Sequence, residues 1–247
     1  VASLEAVARS VVGITVMVIN TIYIGVVATT IARFNPRAPV ITGMMHFWAR
    51  LFHAIIGVRL RIEGQENIDP HRSYVFISNH QSNIDIPAHF LACRNPIRFL
   101  AKKELYKVPI LGYLLRHLDF IKVDRQAGIE GHDEINLQVE RTVSLGHSLI
   151  IYPEGTRTRD GNIQPFKKGA FRIAIDNGMD IVPMATSSTA RQAWPPGSKI
   201  IRRATVRVKV GEPMSVKGMT VADLELLRDR AEATVRELFD EVNVAQS

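Results

Sequence analysis

Val11 to Ala32 is a run of 22 residues without one charged side chain. As a helix it would be about 33 Å long, the thickness of a bilayer's hydrocarbon core. The chain must therefore bury this segment in protein or place it in lipid. A cleaved signal would have a shorter apolar stretch, basic residues ahead of it and a small-residue cleavage site behind. Here Arg33 and Arg37 follow the run and only Arg9 precedes it. Asn35-Pro36 breaks the helix, and Ala38 to Val58 forms a second apolar stretch whose one formal charge is Arg50. On a helical wheel Val40, Met44, Phe47, Leu51, Ile55 and Val58 share a face flanked by Ile41, Met45, Trp48 and Phe52. Thr42, His46, Arg50 and His53 form a narrow polar stripe opposite. Residues 1–58 are thus expected to be a two-helix membrane anchor, dipped into one leaflet or spanning, with Trp48 at the interface.

Charge is concentrated beyond this region, since residues 1–58 carry only Glu5, Arg9, Arg33, Arg37 and Arg50. The formal balance of +7 implies attraction to something anionic without choosing among nucleic acid, acidic lipid, a phosphorylated substrate and an acidic carrier protein. No nucleic-acid motif is present, so nucleic acid is not an expected partner, although Arg202, Arg203, Arg207 and Lys209 cluster in sequence. The single cysteine, Cys93, excludes an internal disulfide and fits a reducing compartment.

From residue 59 short apolar or alternating segments are separated by helical ones. Strands are expected at Val58–Glu63, Tyr74–Ser78, Ile97–Ala101, Phe120–Val123, Leu149–Tyr152, Ile181–Ala185 and Thr205–Val210. Helices are expected at Ile84–Ala92, Ile135–Leu145 and Ala170–Asn177, and in a last segment that opens on Thr220 and Asp223 as a capping box. Leu224, Leu227, Ala231, Val235 and Leu238 line one face of that last helix. The alternation predicts an α/β domain over 59–247, a mostly parallel or mixed sheet flanked by helices.

Val75-Phe76-Ile77-Ser78-Asn79-His80 delivers a histidine directly after a buried strand, where loops of α/β sheets face a cleft. Asp85 follows five residues later. On a continuous helix that spacing would hold the two about 140° apart, so they meet only if the chain turns between them. Gln81-Ser82-Asn83 suits a turn and a helix N-cap. A carboxylate bonded to one ring nitrogen fixes the tautomer and stabilises the imidazolium formed on proton uptake, which makes His80 a candidate general base. No Gly-x-Ser-x-Gly elbow supplies a nucleophile, so the hydroxyl to be activated would belong to a substrate. A metal site is not expected, because no His-Glu-x-x-His or comparable cluster accompanies the pair. A second string, Pro153-Glu154-Gly155-Thr156-Arg157, follows the strand Ser148–Tyr152. Its glycine lets backbone approach a ligand, its threonine offers a donor, and its arginine supplies a planar fork matched to phosphate.

Asn79-His80-x-x-x-x-Asp85 with Pro153-Glu154-Gly155-Thr156-Arg157 resembles the first and third signature blocks of the glycerolipid acyltransferase superfamily, most closely its 1-acylglycerol-3-phosphate acyltransferases. Phe99–Leu105 resembles the basic segment, Phe120–Arg125 the block ending in a phosphate-binding arginine, Phe166–Gly169 the lysine-glycine segment and Ile181-Val182-Pro183 the fourth block. The resemblance covers residues 59 to about 213, and bacterial members often begin with a two-helix anchor. One departure stands out: members commonly have a glycine shortly before the second-block arginine, where this chain reads Leu118-Asp119-Phe120.

The resemblance implies that His80, oriented by Asp85, deprotonates the free hydroxyl of lysophosphatidic acid, which attacks a thioester of coenzyme A or acyl carrier protein. Arg125 and Arg157, with Lys102, would hold the acceptor phosphate. Glu154, Gly155 and Thr156 would shape the same wall, and Asn79 or nearby backbone amides would stand by the oxyanion. It implies no acyl-enzyme, cofactor or metal. Its setting would be a membrane, expected at the cytoplasmic face of a bacterial inner membrane, with membrane lipid as a partner.

Overall fold

The computed structural model describes residues 4–124 and 130–244. Helix α1 (Leu4–Phe34) and helix α2 (Pro39–Ile56) are separated by a break at Asn35–Pro36, as the proline requires, and pack on each other. Gly57, at φ 71°, ends α2 in the left-handed conformation that glycine adopts without steric cost. The chain then enters β1 (Val58–Glu63). The further strands are β2 (Val75–Ser78), β3 (Ile97–Lys102), β4 (Ile121–Val123), β5 (Ser148–Ile151), β6 (Ile181–Thr186) and β7 (Ala204–Val210). Among the described residues they make one sheet in the order β1-β7-β6-β2-β5-β3-β4. All neighbours run parallel except β6 and β7, so the sheet is mixed.

Both faces of the sheet are covered, which is why its central strands read as near-continuous apolar runs. Alternate residues Val75, Ile77, Leu149, Ile151 and Ile181 pack under α5 (Glu130–Ser144), α6 (Gly169–Asp176) and α8 (Leu224–Val244). Phe76, Ile150, Val182 and Met184 face α2 and α3 (Asp85–Ala92). The capping box forms: Thr220 N–H donates to Asp223 Oδ2 at 2.8 Å, and Ala222 N–H donates to Thr220 Oγ1 at 3.3 Å. It opens a turn of 3₁₀ helix, Val221–Asp223, that runs into α8.

Helix α2 meets the domain through the residues that flank its most apolar face. Ile41, Ala49, Phe52 and Ile56 are buried, while Val40 and Phe47 are 53% and 57% exposed. His53 of the polar stripe is buried too, its Nδ1 hydrogen-bonded to Ala49 O at 2.8 Å within the helix. Ala49 on this side is fully buried among residues of α3 and the sheet. Two further helices, α4 (Leu111–His117) and α7 (Thr189–Ala193), were not expected from the sequence, being too short to show a period.

At the departure from the family's glycine, Asp119 itself takes φ 54°. Aspartate is among the few residues that tolerate this region, so the turn into β4 keeps a glycine-like shape. Asp119 Oδ1 also meets Arg141 Nε at 3.1 Å.

Candidate active site

Parallel pairing of β6, β2, β5, β3 and β4 brings their carboxyl ends side by side, where ligand clefts of α/β sheets form. His80 follows β2, Pro153 to Arg157 follow β5, and Lys102 ends β3. Five positions apart in sequence, His80 Nδ1 and Asp85 Oδ2 lie 2.8 Å apart. The turn between them is closed by Asp85 itself. Its Oδ2 also accepts from Gln81 N–H at 2.7 Å and Ser82 N–H at 2.9 Å. The helix N-cap is Ile84, with no side-chain cap, and Ser82 Oγ instead accepts from Ile84 N–H and donates to Trp194 O.

A carboxylate only accepts, so the hydrogen sits on His80 Nδ1 and Nε2 is left with its lone pair. Asp85 is fully buried, whereas the His80 side chain keeps 15% of its surface open. That combination holds the ring from behind and exposes its edge to a substrate.

The loop after β5 fixes the backbone of His80 from both sides. Glu154 Oε1 accepts His80 N–H at 2.7 Å, Glu154 Oε2 accepts Gln164 N–H at 2.8 Å, and Thr158 N–H donates to His80 O at 2.9 Å. Burial pushes the Glu154 carboxyl up to about 7, against the downward pull of those two backbone bonds. Glu154 thus stands behind the wall, with both oxygens on backbone donors. Gly155, at φ 75°, turns the loop, and a Cβ there would come within 2.9 Å of Lys167 Nζ. Thr156 is exposed; Arg157 is half-buried and donates to Asn83 Oδ1 above the His80–Asp85 turn. Lys102 is exposed at the end of β3.

Asn79 is placed away from a role at an oxyanion. It is fully buried, its Nδ2 donating to Thr186 O at 2.9 Å and its Oδ1 accepting Thr186 N–H at 2.8 Å. An amide bonded both ways to one residue's backbone ties the ends of β2 and β6 together, which gives Asn79 a structural task in the fully buried layer behind the cleft. Arg125 lies outside the described residues.

Sequence reasoning missed the groups that support the imidazole's face. Tyr152 stacks on His80 with ring centroids 3.9 Å apart and planes 12° from parallel. Its hydroxyl is bonded to His89 Nδ1 at 2.9 Å, and His89 Nε2 to Thr186 Oγ1 at 3.0 Å. Burial drives His89 down to about 4 and Tyr152 well above its ordinary value, so both are neutral near neutral pH. A signal for His89 was available, because it follows Asp85 by four residues and so shares its face of α3.

Residues 59–187 match the acyltransferase family. The chain belongs to that family. Among curated members it is 30% identical over 204 residues to a 1-acyl-sn-glycerol-3-phosphate acyltransferase of Pseudomonas aeruginosa, covering 81% of this chain and 77% of that one. It is 34% identical over 173 residues to the enzyme of the same name from Limnanthes douglasii, covering 69% of this chain and 60% of the plant protein's length. The fold matches the crystal structure of the 1-acyl-sn-glycerophosphate acyltransferase of Thermotoga maritima with a TM-score of 0.80, over 97% of each chain at 23% identity. Within the family, then, this chain carries the His80–Asp85 pair and the Pro153–Arg157 loop on adjacent strand ends of the shared fold.

Proposed function

We propose that this chain transfers a fatty acyl group from a thioester to the free hydroxyl of 1-acylglycerol 3-phosphate, forming phosphatidic acid for phospholipid synthesis. The observation that carries the reading is the 2.8 Å His80–Asp85 bond beside the Pro153–Arg157 loop, in a family member whose relatives bear that enzyme's name. His80 Nε2 takes the hydroxyl proton as the oxygen attacks the thioester carbonyl. The carbon–sulfur bond breaks, and the departing thiolate takes the proton back. Asp85 stabilises the imidazolium in between, and Tyr152 keeps the ring in its plane. Arg157 and Lys102, with Arg125, hold the acceptor phosphate; Thr156 and Gly155 border it and Glu154 keeps His80 in place.

Residues 1–58 are the proposed membrane anchor and 59–247 the catalytic domain, at the cytoplasmic face of a bacterial inner membrane, with coenzyme A or acyl carrier protein as donor. Supporting this, Ser10–Phe34 is long and apolar enough to cross a bilayer. Val11, Val12, Ile19 and Tyr23 leave 59–68% of their surface exposed, far more apolar area than a soluble helix presents. The same helix touches the catalytic domain from Ser10, which accepts Ile201 N–H, to Ala28, which packs on Leu118. Contact over about 27 Å favours a helix lying in one leaflet beside the domain over one crossing away from it.

The test is acyl transfer by the full chain in vesicles with 1-acylglycerol 3-phosphate, glycerol 3-phosphate and a zwitterionic lysophospholipid, each with both donors. The reading expects the first acceptor to be preferred at least about tenfold in kcat/KM, because the others lack either the acyl chain or the exposed phosphate monoester. Equal use of all three would refute the phosphate assignment.

A further inference from the structure

Beyond β3 the chain presents an apolar surface that the proposed chemistry does not use. Leu105, Val108, Ile110 and Tyr113 are 40%, 44%, 48% and 40% exposed, all within nine residues of one another. Elsewhere in residues 59–244 the exposed large apolar side chains described, Ile86, Leu137, Val221, Leu226 and Val244, are scattered around the domain. Scattered ones need no explanation, whereas a cluster does.

Ile110 sharpens the point. It has φ 64° and ψ −59°, and Leu111 N–H donates to Pro109 O at 2.7 Å, so it is the centre of the rare, strained form of γ-turn. A β-branched residue is among the poorest choices for that conformation. With nearly half its side chain exposed, burial within the protein does not compensate for the strain.

The cluster is also continuous with another apolar surface. Helix α4 packs on α1, its Leu114 so close over Gly25 that a Cβ there would come within 2.4 Å of Leu114 Cδ1. Beside this contact α1 exposes Ile19, Ile22, Tyr23 and Val26. Lys102, Lys107 and Arg116 are exposed around the cluster, against Glu104 as the exposed acid in 102–117.

We propose that Lys102–Arg116 is a second bilayer contact, in which Leu105, Val108, Ile110 and Tyr113 enter the acyl region and Lys107 and Arg116 meet anionic headgroups. Because the segment springs from β3, it presses the strand ends that carry His80 and Arg157 against the lipid from which an acceptor would come. The partner is an anionic lipid surface. An acidic carrier protein would be served by the basic rim alone and would not use four exposed apolar side chains in and beside a helix that packs on α1. The proposal adds to anchoring by α1 and is independent of the acyl-transfer reading.

The test places an environment-sensitive fluorophore at Ile110→Cys in the full chain, bound to vesicles of phosphatidylcholine and phosphatidylglycerol. The native Cys93 is fully buried and does not compete for the label. A label at Leu226→Cys, 70% exposed on α8, is the control. The expected result is a blue shift and quenching by acyl-brominated lipid at position 110 and neither at 226. A label at 110 as open to aqueous iodide as the control, or shielded only when acyl carrier protein is added, would overturn the proposal. Combined Leu105→Ser, Val108→Ser and Ile110→Ser should weaken vesicle partitioning about tenfold or more with the thermal midpoint retained, and unchanged partitioning would count against it. The label reading stands even if that variant folds poorly.

Discussion

Replacing Asp85 by asparagine should remove a charge from the site and little else that touches His80. Asp85 Oδ2 accepts from His80 Nδ1 at 2.8 Å, Gln81 N–H at 2.7 Å and Ser82 N–H at 2.9 Å. Two backbone donors dictate which end of the amide they face, since an amide nitrogen in that position would set hydrogens against hydrogens. The carbonyl oxygen therefore takes the place of Oδ2, and the imidazole keeps both its acceptor and its tautomer. What is lost is attraction between carboxylate and imidazolium. With charge centres about 4 Å apart and an effective dielectric near 20, that attraction is about 4 kcal/mol. The open edge of the ring reduces it, so kcat should fall by about 30- to 1000-fold, corresponding to about 2–4 kcal/mol of transition-state stabilisation. Folding should lose a further amount of about 1–3 kcal/mol. The amide nitrogen would replace Oδ1, which is buried without a hydrogen-bond partner among the described residues. The assay is kcat at saturating acceptor in vesicles, with the thermal midpoint measured on the same preparation. A kcat within threefold of wild type would refute the electrostatic role assigned to Asp85.

Tyr152→Phe keeps the ring on His80 but strips His89 Nδ1 of its partner, and should lower kcat by less than about tenfold; Tyr152→Ala should cost more, because the stacked face itself is gone. Glu154 should make stability pH-dependent. Its folded value of about 7 lies above the ordinary 4.5, so the native state holds the proton more tightly than the unfolded chain. Stability from this group is complete below pH 4.5 and is lost as pH rises through about 7. The loss amounts to at most about 3 kcal/mol. Thermal midpoints of wild type and Glu154→Gln should diverge across that window, and parallel curves would contradict the assignment. Asp119→Gly should lower the midpoint even though glycine accepts φ 54° freely, because the Asp119 carboxylate, 13% exposed, offsets the charge of the buried Arg98. Asp119→Val should lower it further, and a valine variant as stable as the glycine one would show that the turn can relax.

Much of the fold could be read from the sequence because the central strands are buried on both faces and bounded by turn residues. β1 has the expected ends, and the other six strands differ by a residue or two at their termini. Helix α2 resisted the same treatment, because a helix that is apolar nearly all round does not state which side meets the domain; the side with Ile41, Ala49, Phe52 and Ile56 does. The His80–Asp85 turn was legible only as a requirement. That Asp85 closes it with its own carboxylate, in place of a Ser or Asn cap, depends on backbone geometry that spacing does not encode. Asn79 and Glu154 illustrate the same limit, since both stand beside the cleft in sequence yet turn their polar atoms to backbone. Tyr152 and His89 come from different elements and meet beyond the carboxyl ends of the central strands, a contact no local pattern announces.

His80 is the group that receives the acceptor's proton in the proposed transfer, and the most direct test is the turnover of His80→Ala in vesicles with 1-acylglycerol 3-phosphate and a thioester donor. The variant should fold and bind vesicles as wild type does while its kcat falls by about a thousandfold or more, within the range general-base removal produces. A folded, vesicle-bound His80→Ala protein that keeps a tenth of wild-type turnover would contradict it.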